Sequence, residues 1–305
     1  MTNQSLSDKI FEIQYQKSLR RIKELINKLY NKMDSLHIIN FHPIFSECAE
    51  CLSKRLGLDI IINALPISGH TYIIFGSHTQ ASMLYSRQIQ TRGIKYIIIN
   101  GEPPQSNVLK NKYYIELMRN NVVFDYHPIS TAYLKSLDIR VLSHYNFEFP
   151  ANLQNNCPRD IDVLFIGTYN KRRADIFDTL KKHYPEKHIV FHLEWKHSDQ
   201  SELTKELCRA KIVLNIPYYE SGILETHRIN KALSCGCKVV SLYSGHSQTD
   251  QFYSSYIYMC RDFLTLFNNR EVPTQTKKMG HEHLINSLAS NFAHNKTIIE
   301  QLIKK

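Results

Sequence analysis

From residue 37 onward the chain repeats one rhythm, a short apolar run rich in β-branched residues followed by a stretch with helix-like spacing. The runs HIINFH (37–42), LDIIINA (58–64), TYIIFGSH (71–78), IKYIIINGE (94–102), VVFDYH (122–127) and RVLSHYN (140–146) have strand length and strand composition. Strands separated by helices predict a parallel sheet with helices on its faces. The segment FEFPANLQNNCPRD (147–160) breaks the rhythm with two prolines and three asparagines and predicts a linker. Beyond it the rhythm restarts. DVLFIGT (162–168), a helix from Arg172 to Lys182, HIVFHLEW (188–195), a helix over 201–210, KIVLNIP (211–217), a helix from Thr226 to Cys235 and CKVVSLYS (237–244) describe a second unit of the same kind. The expected fold class is therefore α/β, with two Rossmann-like doubly wound domains, 1–150 and 151–305. Ile10, Ile13, Leu19, Ile22, Ile26, Leu29 and Met33 predict amphipathic helices over 8–35, packed on the first domain or lying on a membrane surface, and the tail from Lys277 reads as helical.

Charge narrows the partners. The formal net charge is +10 over 305 residues, which calls for an anionic partner: nucleotide phosphate, an anionic lipid surface touched peripherally, or nucleic acid. The basic residues are dispersed and no nucleic-acid-binding motif occurs, so nucleic acid is set aside. No apolar run reaches the roughly 20 residues that span a bilayer. Seven scattered cysteines and a polar start without an apolar leader segment favour a cytoplasmic protein. Cys48 and Cys51 form a CxxC inside an amphipathic helix with no second pair at zinc-finger spacing, so they read as structural thiols. His281 and His283 read as a solvated pair, and no metal site is expected.

The carboxyl ends of parallel strands are where such sheets bind ligands. The first strand of the second unit ends in Gly167-Thr168-Tyr169-Asn170-Lys171-Arg172-Arg173. Glycine lets backbone approach a phosphate, and a helix start with basic side chains supplies donors and charge. Solvated basics after a tight turn would look the same. The stretch LNIPYYESGILETHRINKALSCGCKVVS (214–241) is more informative: a buried strand, a polar loop holding Glu220 and Glu225, a short helix and another buried strand. Glu225 and Arg228 stand three apart, so both face the same way from the first turn. Arginine there opposes the helix dipole by a few tenths of a kcal/mol, a misfit that suits either an anion-binding role or a surface pair with Glu225.

This stretch resembles the signature of the group 1 glycosyltransferases close to the CgeB-like spore-protein branch. DVLFIGTYNKRR (162–173), IIINGEPP (97–104) and VVFDYHPISTAYL (122–134) are similar to further blocks of that family. The resemblance implies a GT-B fold, two domains facing a central cleft, and metal-independent transfer of a sugar from a nucleotide diphosphate to a glycan, lipid or protein acceptor. The nucleotide sugar is a co-substrate and no other cofactor is implied. By position, Arg228 with Lys171 or Arg172 would neutralise the diphosphate beside Gly167 and Thr168. Glu220 or Glu225 would bind sugar hydroxyls. Lys231 stands where related transferases place a ribose-binding glutamate, and Pro217 where close relatives have histidine. An inverting mechanism would want a base from the first domain, for which Glu102, Asp125, His78 and His127 sit at predicted strand ends, Glu102 being preferred. A catalytically inactive glycan- or nucleotide-binding protein is the alternative. A dinucleotide enzyme is disfavoured because no GxGxxG follows a predicted strand.

Overall fold

Two separate parallel sheets account for the repeated rhythm. The computed structural model describes residues 36–61, 65–150, 158–193, 200–220 and 222–266. The helices expected over 8–35 and after Lys277, and His281 and His283, lie outside the described residues. The first sheet contains β1 (Leu36–Asn40), β2 (Ile60–Ile61), β3 (Thr71–Phe75), β4 (Lys95–Asn100), β5 (Val122–Asp125) and β6 (Val141–His144), in the order β2-β1-β3-β4-β5-β6. The second contains β7 (Ile161–Ile166), β8 (Ile189–His192), β9 (Ala210–Asn215), β10 (Lys238–Leu242) and β11 (Tyr258–Cys260), in the order β11-β10-β9-β7-β8. Every pairing is parallel, so all carboxyl ends within a sheet share one edge.

The connecting helices cover both faces, which is why the central strands read as continuous apolar runs. Helix α1 (Ser46–Leu56) buries Cys48, Ala49, Leu52 and Leu56 against Ile38, Ile73, Phe75, Ile97 and Ile99. On the opposite face α2 (Ala81–Gln90), α3 (Lys112–Arg119) and α4 (Pro128–Ser136) bury Leu84, Leu117, Met118 and Leu134 against Ile39, Ile74, Ile98 and Val123. The neighbours Ile38 and Ile39 thus serve two different cores, as the two-residue period of a strand requires. In the second domain α5 (Lys171–His183) packs on one face through Leu180. Helices α6 (Gln200–Arg209), α7 (Thr226–Ser234) and α8 (Ser247–Ser254) pack on the other through Leu203, Ile229 and Tyr253. Helix α8 and strand β11 were not anticipated from the sequence. Each domain is Rossmann-like and doubly wound.

In both sheets the chain steps from the first strand to one side and then crosses to the other. This puts a crevice at the carboxyl ends of β1 and β3 in one domain and of β7 and β9 in the other. The two crevices open on one cleft. Across it, His227 of α7 bonds the Ile44 carbonyl at 2.9 Å, with its ring held edge-on by Phe45, Phe147 and Phe149. Asn230 donates to the Phe147 carbonyl at 2.8 Å, and buried Lys231 pairs with Glu47 of α1. Among the described residues no helix is long and apolar enough to cross a membrane.

Candidate active site

A cavity of about 460 Å³ lies between the domains and is lined from both. That size lies within the range of small-ligand sites, roughly 300 to 1,000 Å³. Its second-domain wall is built at the β7/β9 crevice. Asn170 caps α5 by accepting the Arg173 amide at 2.8 Å, which fixes where the helix starts and makes Arg173 its third residue. Successive helical side chains diverge by about 100°, so of the three basic residues only one can point inward. That residue is Arg173, 1% exposed, which donates to the carbonyls of Thr168 at 2.7 Å and Ile216 at 2.5 Å and so spans the crevice.

Arg228 reaches the same place from α7. Its Nε donates to the Ile166 carbonyl at 3.1 Å and its Nη1 to Asn215 Oδ1 at 3.2 Å. Both guanidinium carbons lie over the Phe165 ring, 4.9 Å away for Arg173 and 5.0 Å for Arg228. One carboxylate serves the two cations: Glu225 accepts from Arg173 at 3.1 Å and from the Tyr218 amide at 2.8 Å, and its other oxygen pairs with Arg228. Two fixed cations against one anion leave a net positive charge in a part-dry crevice, where its field is strong. Burial, reinforced by neighbouring Arg228, lowers the Arg173 pKa to about 10, still fully charged at neutral pH. Gly167 completes the wall. A Cβ there would stand 2.8 Å from Phe165, 3.0 Å from Arg228 Nη2 and 3.2 Å from Arg173 Nη1, so only glycine leaves the backbone this close to both guanidiniums.

The first-domain wall is built at the β1/β3 crevice and carries no fixed cation pair. His42 and His78 sit with ring centroids 5.8 Å apart, and Glu102 Oε1 lies 3.8 Å from His78 Nδ1. Glu102 also accepts from Ser106 at 2.6 Å. Gly76, at φ 66°, lets the two loops touch, because a Cβ there would fall 2.6 Å from the His42 Cβ. Burial lowers the His78 pKa while Glu102 acts in the opposite sense, so His78 is neutral at neutral pH.

The residues expected from the sequence distribute unevenly around this cavity. Gly167, Thr168, Glu225, Arg228, Lys231 and Glu102 line it, as does His78. Lys171 does not: it is solvated and pairs with Asp175 one turn on. Arg172 is a strut, donating to the carbonyls of Pro217 and Tyr219 from outside. Glu220 is exposed on the loop and does not line the cavity. Lys231 is committed to Glu47 and, at 2.8 Å, to Thr204, so its ammonium is a junction between domains. The Glu225–Arg228 pair exists, but with side chains only 28% and 18% exposed and with Arg173 sharing the carboxylate it is not a surface pair.

Asp125 and His127 do not reach the cavity. Asp125 accepts from Asn100 at 2.6 Å, Ser130 at 2.9 Å and the His127 amide at 3.0 Å, and burial pushes its pKa up to about 6. Asn100 and Ser130 also bond the Glu102 carbonyl, so this network orders the loop that carries Glu102. His127 is fully buried, caps α4 through Nδ1, and is driven to a pKa of about 3 by burial and by His246. The CxxC thiols lie in α1, with Cys48 buried and Cys51 raised to about 11, so neither is a thiolate at neutral pH. Among the described residues no group of three or more His, Cys, Asp or Glu is placed to hold a metal.

The run of three adjacent basics does not by itself single out Arg173, yet the sequence carries a signal. An N-cap residue followed three positions later by arginine occurs twice, as Asn170 and Arg173 and as Glu225 and Arg228. No protein-family model and no curated protein matches the chain. Among solved structures it is similar to a trehalose-6-phosphate synthase, OtsA, with a TM-score of 0.49 and 10% identity, covering 95% of this chain and 77% of that one.

Proposed function

We propose that this chain is a GT-B glycosyltransferase that binds the diphosphate of a nucleotide sugar at Arg228, backed by the buried charge of Arg173, and transfers the sugar to an acceptor in the cleft. One observation carries the reading: two arginines, each third in its helix, converge over Phe165 across a topological switch point and share a single carboxylate. Permanently charged guanidiniums suit phosphate oxygens, and the helix starts behind them add amide donors. The CgeB-like affinity of residues 214–241 belongs to the same reading.

Transfer breaks the bond between the sugar's anomeric carbon and the diphosphate oxygen, and the electron pair leaves with the diphosphate. Fixed cations stabilise that growing charge more than they stabilise the bound donor, which is how they accelerate the step. The acceptor hydroxyl forms the new bond to the anomeric carbon and gives up its proton. His78, neutral and backed by Glu102, is the cavity-lining side chain suited to take that proton in an inverting reaction. A binding protein without turnover would need the arginines but not this pair, which favours the enzyme. Glu225 holds the arginines in register and is a positioning residue.

Calorimetric titration of UDP and GDP against wild type and Arg228→Ala, with hydrolysis of a panel of nucleotide sugars, tests the proposal. Nucleotide diphosphate binding that weakens at least about tenfold in Arg228→Ala is expected, the loss of one charge-assisted contact. Unchanged affinity overturns it.

A further inference from the structure

We infer that a second cavity beside the first is the subsite of a carbohydrate acceptor, an assignment that rests on the glycosyltransferase reading above. This cavity measures about 440 Å³ and is formed at the carboxyl ends of β5 and β6 in the first domain together with α7 and α8 of the second. Tyr126 and Thr226 line both cavities, so the two share a wall. Group transfer needs two molecules side by side, and these two chambers adjoin across Tyr126 and Thr226.

The chemistry of the linings assigns the occupants. The first cavity joins the arginine pair to the apolar side chains Leu203, Leu207 and Val213, which suits a diphosphate and a nucleoside base. The second has Lys135 as its single lysine or arginine and no Asp or Glu, so it lacks the charge to hold a diphosphate. Instead it presents amides from Asn146 and Gln248, a hydroxyl from Thr249 and the ring of Phe252. Asn146 Oδ1 is 3.0 Å from His144 Nε2, and burial keeps that imidazole below its ordinary pKa, so it adds no positive charge at neutral pH. Uncharged donors and acceptors beside an aromatic face are the complement of an uncharged polyhydroxylated ring.

Saturation-transfer NMR tests this with glucose, mannose, N-acetylglucosamine and maltose, each added to protein saturated with UDP or GDP. Binding of at least one saccharide in the presence of nucleotide is expected. Gln248→Ala and Phe252→Ala should weaken it by about tenfold each, the loss of an amide contact or an aromatic face, while nucleotide affinity stays within about twofold of wild type. Gln248 is exposed on the first turn of α8, so its variant folds even if the loss of Phe252 disturbs its neighbours Tyr253 and Tyr256. The assignment is overturned if no saccharide binds, if saccharide binding is indifferent to Gln248→Ala, or if that variant instead weakens the nucleotide. Failure of the transferase reading shows separately, as nucleotide affinity that ignores Arg228→Ala.

Discussion

The two halves of the molecule solve one topological problem with opposite chemistry. Each sheet has its crevice between its first and third strands, and each places a tightly packed glycine directly after a crevice strand, Gly76 after β3 and Gly167 after β7. The first crevice is filled by imidazole rings, those of His42 and His78, with Glu102 alongside. The second is filled by permanent charge, Arg173 and Arg228 around Glu225. Topology therefore fixes where a ligand sits, and side chains decide what is done to it. A guanidinium cannot exchange protons near neutral pH and suits a leaving anion, whereas imidazole exchanges them readily and suits an acceptor hydroxyl.

The comparison breaks most visibly at Arg173. Arg173→Met should cost about 3 kcal/mol of stability, because it strands the Ile216 and Thr168 carbonyls and removes half the charge that holds Glu225. Urea unfolding measures this, and an unchanged midpoint would mean that the buried cation is not built into the crevice. Arg228, more exposed, should behave differently. Arg228→Ala should leave folding intact and lower turnover by about a hundredfold or more, as removal of one transition-state donor does. Arg228→Lys should recover only part of it, since lysine keeps the charge but not the two-pronged geometry. Equal recovery by lysine would argue for a simple point charge.

These two arginines also show how far the sequence was legible. Strand runs and helix periods depend on near neighbours, so both sheets could be read from the chain, including the restart after 147–160. Arg228 stood out as a misfit at a helix start. Arg173 did not, because choosing among three consecutive basics needs the helix phase, which Asn170 sets through one hydrogen bond. Lys171 and Arg172 were accordingly assigned roles that their orientation denies them. The Lys231–Glu47 pair joins residues far apart in sequence and on different domains, and nothing local in either segment signals it. Helix α8 was missed for another reason: its polar stretch SQTDQFYS shows no apolar period, and its start is fixed by the His246 side chain.

Proton chemistry sharpens the contrast from the other side. To act as the proposed base, His78 must be unprotonated, and burial keeps its pKa below the ordinary 6.5. Activity should therefore hold as pH falls to 6.5 and decline only below it, where imidazole begins to charge. His78→Gln should lower kcat/KM by about a hundredfold and abolish that acid limb, a result that a merely structural histidine would not give. Gly167→Ala probes the opposite crevice with a smaller change. A methyl pressed on Phe165 and both guanidiniums should cost about 1–2 kcal/mol through overpacking and weaken nucleotide diphosphate binding by about tenfold. The matched Gly76→Ala, at positive φ and against His42, should lower stability but spare nucleotide affinity.

The smallest expected effect is the one that most directly tests what the arginine crevice is for. Many phosphate-transferring sites neutralise a diphosphate with a divalent ion held by carboxylates. Here the carboxylates near the cleft are already engaged: Glu225 by two arginines and an amide, Glu47 by Lys231, and Asp125 by four donors beneath the Glu102 loop. Glu102 remains, beside His78 and Ser106, in the domain opposite the cations. If the arginines match the charge of the leaving group as proposed, a metal would compete with them for the same oxygens. Turnover of a nucleotide sugar should therefore be the same with and without EDTA, and added magnesium or manganese should not raise it. Loss of activity on chelation, restored by either ion, would show that the two crevices share a metal-dependent step and would dissolve the division between fixed cations on one side and a titrating base on the other.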